Sequence, residues 1–111
     1  MTDLDPAEFR TIDAREAIPN DSVVPYYLPD QKLRVSVARV DDRLYAFSDL
    51  CTCTDEPCPL SGGRLTGTAI VCQCHGSEFD IVTGAVTKGP ATVPLRIYEV
   101  REVDSTVQVR A

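Results

Sequence analysis

The residues of this chain that could do chemistry are its five cysteines and its single histidine, which all lie between Cys51 and His75. They form two groups, Cys51-Thr52-Cys53 with Cys58, and Cys72-Gln73-Cys74-His75. Thiolate and imidazole are donors that soft and borderline metals prefer, and two turns can bring the two groups to one centre. Cysteines that served only as small apolar residues would be scattered along the chain. The pattern therefore predicts a site for a metal ion or a metal cluster.

Length and composition indicate one folded domain over residues 1–111, with 43% hydrophobic and 25% charged residues. The net charge is −6 and no basic stripe exists, which argues against nucleic-acid binding. An acidic surface suits transient docking on a basic partner, or serves solubility alone. No apolar run is long enough to span a membrane, and the acidic N-terminus lacks the basic and apolar segments of a secretory signal. We therefore expect a cytoplasmic protein.

The elements that must position the cysteines are predicted to be short antiparallel strands. Residues 33–40 alternate between more and less apolar side chains, and the turn Asp41-Asp42 leads into a strand over 43–47 that delivers the chain to Cys51. Residues 61–63 and 66–68 are typical turn sequences. The pattern favours an all-β sandwich or barrel. Further strands are expected at 9–12, 22–24, 69–71, 78–82, 94–100 and 106–110, with a turn or one helical turn at 14–17 and a closing hairpin turn at 104–105.

The order of strand, cysteine-rich loop, glycine-rich segment and second cysteine group resembles the Rieske-type [2Fe–2S] family. That family uses Cys-x-His in one loop and Cys-x-x-His in the other, so that two thiolates hold one iron and two imidazoles hold the other. The second box, Cys72 to His75, is a full match. The resemblance implies one [2Fe–2S] cluster, held by a small subdomain of about residues 46–90 at the tip of an antiparallel β base. Further segments that carry the resemblance are 45–49, 58–63, 76–80, 83–86 and 89–91.

The first box departs from the family because no second histidine exists. Counted from the strand over 43–47, Cys51 takes the family's cysteine position and Cys53 the histidine position, with 18 residues before Cys72. Counted back from the segment 58–60, Cys53 is the cysteine and Asp55 stands at the histidine position, with 16 residues before Cys72. The two registrations differ by two residues, so the loop carries an insertion.

Ligand chemistry favours the first registration, because thiolate is a better ligand for an iron–sulfur cluster than carboxylate. The expected ligands are Cys51, Cys53, Cys72 and His75, with Asp55 as the alternative to the third thiolate. Two further hypotheses are a zinc site, for which three cysteines and one histidine are an ordinary set, and a site disabled by the missing histidine.

The resemblance also implies a disulfide between Cys58 and Cys74. In the Rieske proteins of respiratory and photosynthetic cytochrome complexes, cysteines at these two positions tie the two loops together. The alternative is two thiols that never pair, as a reducing compartment would favour.

The ligand change has a consequence for the redox potential. Three thiolates and one imidazole leave an oxidised [2Fe–2S] site with one more negative charge than two of each, so reduction is harder and the potential should be lower than in ordinary Rieske sites. By resemblance, Ser77 donates a hydrogen bond to a bridging sulfide. Phe79 replaces a tyrosine whose hydroxyl donates to a ligand sulfur in high-potential members, which lowers the potential further.

The resemblance implies a soluble Rieske-type ferredoxin, which carries one electron between a flavin-dependent reductase and an oxygenase or similar redox enzyme. No catalytic constellation is visible, so we expect an electron-transfer protein and not an enzyme. The alternative is a redox or pH sensor, or a cluster-transfer protein. The NEET proteins share the set of three cysteines and one histidine and hold a labile cluster, although the fold expected here is unlike theirs.

Overall fold

The structure, a computed structural model, describes residues 9–52 and 58–111. In these residues the chain is almost entirely β-structure, with two short 3₁₀ helices at Arg15–Ala17 and Leu60–Gly62, which confirms the predicted class. In the same residues, no helix is long and apolar enough to cross a membrane. The strands are β1 (Arg10–Ala14), β2 (Ser22–Leu28), β3 (Leu33–Val40), β4 (Arg43–Ser48), β5 (Arg64–Thr66), β6 (Ala69–Val71), β7 (Glu78–Asp80), β8 (Val86–Lys88), β9 (Ile97–Val103) and β10 (Thr106–Arg110).

Six strands form a base sheet in the order β1-β10-β9-β4-β3-β2, with antiparallel neighbours throughout. The alternating pattern over 33–40 predicted a strand, and the bounds of β3 are as predicted. Every residue from Val35 to Val40 is buried. Val35 and Val37 belong to one hydrophobic core, and Ala38 and Val40 belong to another. The base sheet is therefore covered on both faces at its centre.

Two hairpins of the base sheet turn through pairs of residues with positive φ. Asp41 and Asp42 have φ of 51° and 64°, and Asp104 and Ser105 have φ of 50° and 63°. Two-residue turns of this kind match the twist of paired strands, and aspartate tolerates the left-handed conformation better than most residues. Both predicted turns are thus confirmed. The first one aligns β4 with β3 and so sets where the chain reaches Cys51.

The other four strands form a small sheet in the order β5-β6-β7-β8, which lies in sequence between β4 and β9. Ile70 of β6 pairs with Phe79 of β7, and both are fully buried in the core that also contains Phe47 of β4. This shared core packs the small sheet against the base sheet. The small sheet lies within the predicted cluster-binding subdomain, whose bounds at about 46 and 90 stay a prediction, as does the single domain over 1–111.

Several predicted bounds were wrong by a few residues. Strands β5 (Arg-Leu-Thr) and β8 (Val-Thr-Lys) were not predicted, because neither has the apolar run that marks the equally short β6, and the turn assigned to 66–68 overlaps the end of β5. Strand β9 was predicted to begin at 94, but the Leu95 N–H donates to the Gly84 carbonyl, outside any ladder, and the strand begins at Ile97. Strands β1 and β2 extend beyond the predicted 9–12 and 22–24, and β7 ends before 82. The predicted helical turn near 14–17 is the first 3₁₀ helix.

Candidate metal centre

The first cysteine-bearing loop leaves β4 and returns to the 3₁₀ helix Leu60–Gly62 through a neck formed by residues 49–51 and 58–61. The Cys51 N–H donates to the Cys58 carbonyl at 3.0 Å, and Leu50 pairs with Pro59 in an isolated antiparallel bridge. Both cysteines are buried. The neck therefore holds Cys51 directly opposite Cys58.

The neck bears on the two alternative registrations of the first box. The strand end before Cys51 and the segment that begins at Cys58, which gave conflicting registrations, face each other across the neck. The neck therefore fixes both ends of the first loop and agrees with either registration. Cys53 and Asp55, the two candidates for the missing histidine, lie outside the described residues.

The second cysteine-bearing loop is a tight turn between β6 and β7. The Cys72 N–H donates to the Ser77 carbonyl at 2.7 Å, and the Gly76 N–H donates to the Cys72 carbonyl at 3.0 Å. Gly76 has φ of +76°, a conformation that residues with a Cβ rarely adopt. The turn buries Cys72 and leaves Cys74 and His75 exposed. The loop thus presents one buried thiol and one solvent-facing imidazole.

A disulfide between Cys58 and Cys74 joins the two loops, as the resemblance implied. The Cys72 sulfur lies 3.4 Å from the Cys58 sulfur, and the sulfurs of Cys58, Cys72 and Cys74 are all within 4.8 Å of one another. Metal binding requires thiolate, and disulfide sulfurs have none to offer. With the disulfide formed, this group of three sulfurs is therefore a crosslink beside Cys72 and not a ligand set.

The donors that remain fit an iron–sulfur cluster. Cys51 on the first loop and Cys72 on the second are buried thiols on loops that the disulfide holds together, and His75 adds an imidazole three residues after Cys72. Soft sulfur with imidazole is the donor set of Rieske-type clusters, and burial shields thiolate ligands from water. Among the described residues, Cys51 and Cys72 thus belong to one buried cluster, and His75 lies exposed on the same loop as Cys72.

The two residues predicted to lie around the cluster, Ser77 and Phe79, are fully buried behind the second loop. The Ser77 hydroxyl oxygen accepts a hydrogen bond from the Ala91 N–H at 2.9 Å. That bond fixes the oxygen and leaves the hydroxyl proton available to another acceptor. The Phe79 ring contributes to the core that joins the two sheets and offers no donor.

Sequence reasoning missed two features that hold the first loop. The Thr52 hydroxyl donates to the Val93 carbonyl at 2.5 Å, which fastens the loop to the segment before β9. Asp49 is fully buried next to the neck and accepts hydrogen bonds from Arg34 and Ser36 of β3. The only sequence signal for Asp49 was an acidic residue at the end of a strongly apolar strand, where burial is unusual unless the charge is paired.

Comparison with known proteins identifies the family. The model of the Rieske [2Fe-2S] domain matches residues 8–99. The chain is 41% identical over 75 residues to the ferredoxin CarAc of Metapseudomonas resinovorans, which covers 68% of each chain. It is 37% identical over 75 residues to the anthranilate 1,2-dioxygenase ferredoxin subunit of Burkholderia cepacia, again 68% of each chain.

Solved structures agree with this assignment. The ferredoxin of Sphingomonas yanoikuyae B1 superposes with a TM-score of 0.83 at 27% identity, covering 94% of this chain and 99% of that one. A chain from the complex of reduced oxygenase and oxidised ferredoxin in carbazole 1,9a-dioxygenase superposes with a TM-score of 0.82 at 30% identity, covering 92% of both. The chain therefore belongs to the Rieske [2Fe–2S] domain family, as a ferredoxin that holds one [2Fe–2S] cluster and carries electrons without being an enzyme itself.

Proposed function

We propose that the protein is the electron carrier of an oxygenase system, which accepts an electron from a flavin-dependent reductase and delivers it to an oxygenase. Relatives that support this proposal are named as ferredoxin subunits of anthranilate and biphenyl dioxygenases. A similar solved structure is named as a complex of an oxygenase with a ferredoxin. The observation that carries the proposal is the pair of disulfide-joined loops, with Cys51 and Cys72 buried and His75 exposed.

We further propose that Cys51, Cys53, Cys72 and His75 hold the cluster. Two observations support this ligand set. The neck holds Cys51 as a buried residue three positions after the end of β4, and the registration with Cys53 as the third thiolate uses this buried thiol as a ligand. A thiolate also suits iron–sulfur coordination better than the carboxylate of Asp55, which remains the alternative ligand.

Each residue then has a defined role in electron transfer. The bound cluster supplies one reversible electron. The cysteines hold it in a buried position, and the exposed His75 gives the site a face that a partner can approach. Ser77 is oriented by the Ala91 N–H so that its own proton can be donated towards the site. The extra negative charge of a third thiolate disfavours reduction, which moves the potential from the Rieske range of about −150 to +300 mV towards the value of about −400 mV known for all-thiolate sites.

The experiment is to purify the protein without oxygen and record its visible absorption, its low-temperature electron paramagnetic resonance spectrum and its midpoint potential. We expect one [2Fe–2S] cluster with a potential below that of two-histidine Rieske ferredoxins, and rapid reoxidation by an aromatic-ring dioxygenase. Cys72→Ser is the matched control that loses the cluster. Zinc in place of iron, or transfer of the cluster to an apo-acceptor faster than transfer of the electron, would contradict the proposal.

The cytoplasmic location and the single domain with its subdomain at about 46–90 belong to the same proposal. The small sheet between β4 and β9 supports the subdomain. Cell fractionation tests the location. Limited proteolysis tests the subdomain, since cuts should concentrate near its two ends.

A further inference from the structure

The most heavily hydrogen-bonded buried charge in the described part of the chain is Asp49. It has no exposed surface, and its carboxylate accepts four hydrogen bonds. One oxygen accepts from the Arg34 guanidinium at 2.7 and 3.1 Å. The other accepts from the Ser36 hydroxyl at 2.7 Å and from the Ser61 N–H at 2.8 Å. Burying a carboxylate costs free energy unless such partners compensate for its lost hydration. Asp49 can therefore be buried here only because it makes these contacts.

The four donors come from two separate parts of the fold. Arg34 and Ser36 lie on β3, in the centre of the base sheet, whereas Ser61 lies at the return end of the first cysteine-bearing loop. Asp49 itself lies at the outgoing end of that loop. Its carboxylate thus joins three segments that no single β-ladder connects.

The backbone of Asp49 begins the neck. Its N–H donates to the Arg34 carbonyl at 3.0 Å, and its carbonyl accepts from the Leu60 N–H at 2.5 Å. The next two pairs along the neck are Leu50 with Pro59 and Cys51 with Cys58. From Cys58 the disulfide continues to Cys74 on the second loop. A continuous series of contacts therefore runs from β3 through Asp49 to both loops.

We propose that Asp49 is a positioning residue for the metal centre: its buried carboxylate fastens the neck of the first loop to β3, and thereby holds Cys51 and Cys58 at the separation that both loops require. The proposal rests on the [2Fe–2S] cluster being held by these loops, as proposed above. Asp49 itself acts through Cys51, two residues further along the chain. The charge of the carboxylate is matched by Arg34, whose side chain is 42% exposed.

The first test compares Asp49→Ala with Asp13→Ala. Asp13 is a suitable control because it also accepts a side-chain hydrogen bond, from the Tyr26 hydroxyl at 2.8 Å, but within the base sheet and away from the loops. The rate of cluster loss to an iron chelator is measured by visible absorption under conditions in which far-ultraviolet circular dichroism shows every variant folded. We expect loss to be about tenfold faster or more for Asp49→Ala, as is common when a residue that supports a metal ligand is removed, and near the wild-type rate for Asp13→Ala.

The second test separates positioning from ordinary stability. Asp49→Asn keeps the shape of the side chain but leaves the Arg34 charge unmatched, so the midpoint potential should rise. The double variant Arg34→Gln/Asp49→Asn has the net charge of the wild type, so the direct effect of charge on the potential cancels. If the carboxylate positions the neck, the potential and the rate of cluster loss of the double variant should still differ from those of the wild type, because the contact with Arg34 is lost. A side chain that only stabilised the fold would leave the potential of the folded double variant unchanged.

The measurements separate a failure of the role proposed for Asp49 from a failure of the proposed electron-carrier function. The wild-type spectrum reports whether a [2Fe–2S] cluster is present at all, which tests the function alone. Hydrogen exchange of the amides of residues 49–51, 58, 60 and 61 reports on the neck directly, and should be faster in Asp49→Ala than in Asp13→Ala. Equal rates of cluster loss and of neck exchange in the two alanine variants, or a wild-type potential in the double variant, would overturn the role proposed for Asp49.

Discussion

The two cysteine-bearing loops differ in what fixes them. The second loop is closed by its own backbone, through the Cys72 and Gly76 hydrogen bonds and the positive φ of Gly76. The first loop is closed by backbone hydrogen bonds at its neck, and it is tied in addition to other parts of the fold, by the Asp49 carboxylate to β3 and by the disulfide from Cys58 to the second loop. The second loop carries the complete family box, whereas the first loop carries the altered one. The sequence thus departs from the family's box in the loop whose two ends the neck fixes.

The largest effect is expected in the first cysteine-bearing loop, whose sequence departs from the family's box. Cys53→Ser should abolish the cluster, because it removes one of four ligands, whereas Asp55→Ala should leave the visible and electron paramagnetic resonance spectra almost unchanged. Iron content and the two spectra of each purified variant are the measurements. The matched control is Cys72→Ser, which should lose the cluster in either registration. Cys53 is a ligand in both registrations, so Cys51→Ser completes the test: it should lose the cluster as well. Loss of the cluster in Asp55→Ala with retention in Cys51→Ser would establish the other registration.

The next largest effect is expected at the connection between the loops. Mass spectrometry without reductant should find Cys58 and Cys74 joined, two protons lighter than the dithiol. Replacing both by serine should speed cluster loss several-fold, because the first loop then loses its covalent tie to the self-closed second loop while the neck remains. Cluster half-life in the presence of a chelator is the measurement. Two alkylatable thiols at these positions in the native holoprotein would show that the pair is not a crosslink.

The different success of sequence reasoning in the two loops has a physical cause. The second box was recognisable because its residue types and their spacing both match the family. In a tight turn, the number of residues between two side chains largely determines where they lie relative to each other. In the first loop the two anchors of the resemblance disagree by two residues, so spacing alone did not select a registration. The neck at the base of this loop consists mainly of backbone hydrogen bonds, which leave no signal in residue type.

The fold was predictable to a similar degree. The hairpin turn at Asp41-Asp42 and the apolar run of β3 carry local signals, and both were predicted correctly. Strands β5 and β8 are three residues long and owe their existence to pairing with β6 and β7, which is not visible in their own sequences. Asp49 was missed as a positioning residue for the same reason, since its partners Arg34 and Ser61 are distant in sequence.

A moderate effect is expected at Phe79, behind the self-closed loop. Phe79→Tyr adds a hydroxyl at a fully buried position. If this hydroxyl donates to a ligand sulfur, as the tyrosine of high-potential Rieske proteins does, the midpoint potential should rise with little change in stability.

Phe47→Tyr is the matched control, because Phe47 is equally buried in the same core. Its hydroxyl should only destabilise the fold, by about 1–3 kcal/mol if it finds no partner. An unchanged potential in Phe79→Tyr, with a loss of stability like that of Phe47→Tyr, would show that no ligand sulfur is within reach of position 79.

The smallest effect is expected in the base sheet, far from both loops. Glu102 accepts from Arg39 at 3.0 Å and from Arg15 at 2.8 Å, and these hydrogen bonds, that of Arg39 foremost, hold the pKa of its carboxyl below the usual 4.5. Because the pKa is lower in the folded state, the carboxylate contributes stability above about pH 4.5, and this contribution is lost as the pH falls through the folded-state pKa.

Glu102→Gln should therefore lower the free energy of unfolding slightly at neutral pH and make its decline in acid shallower. Denaturant unfolding at several pH values measures this, with Glu99→Gln as the control, since Glu99 lies 3.7 Å from Arg110 in an exposed pair. The midpoint potential and the rate of cluster loss should not change, because Arg39 and Arg15 donate none of the hydrogen bonds that the Asp49 carboxylate accepts. A change in either quantity would mean that the base sheet influences the metal centre through contacts other than those of Asp49. The difference described here between the two loops would then not account for all that holds the centre.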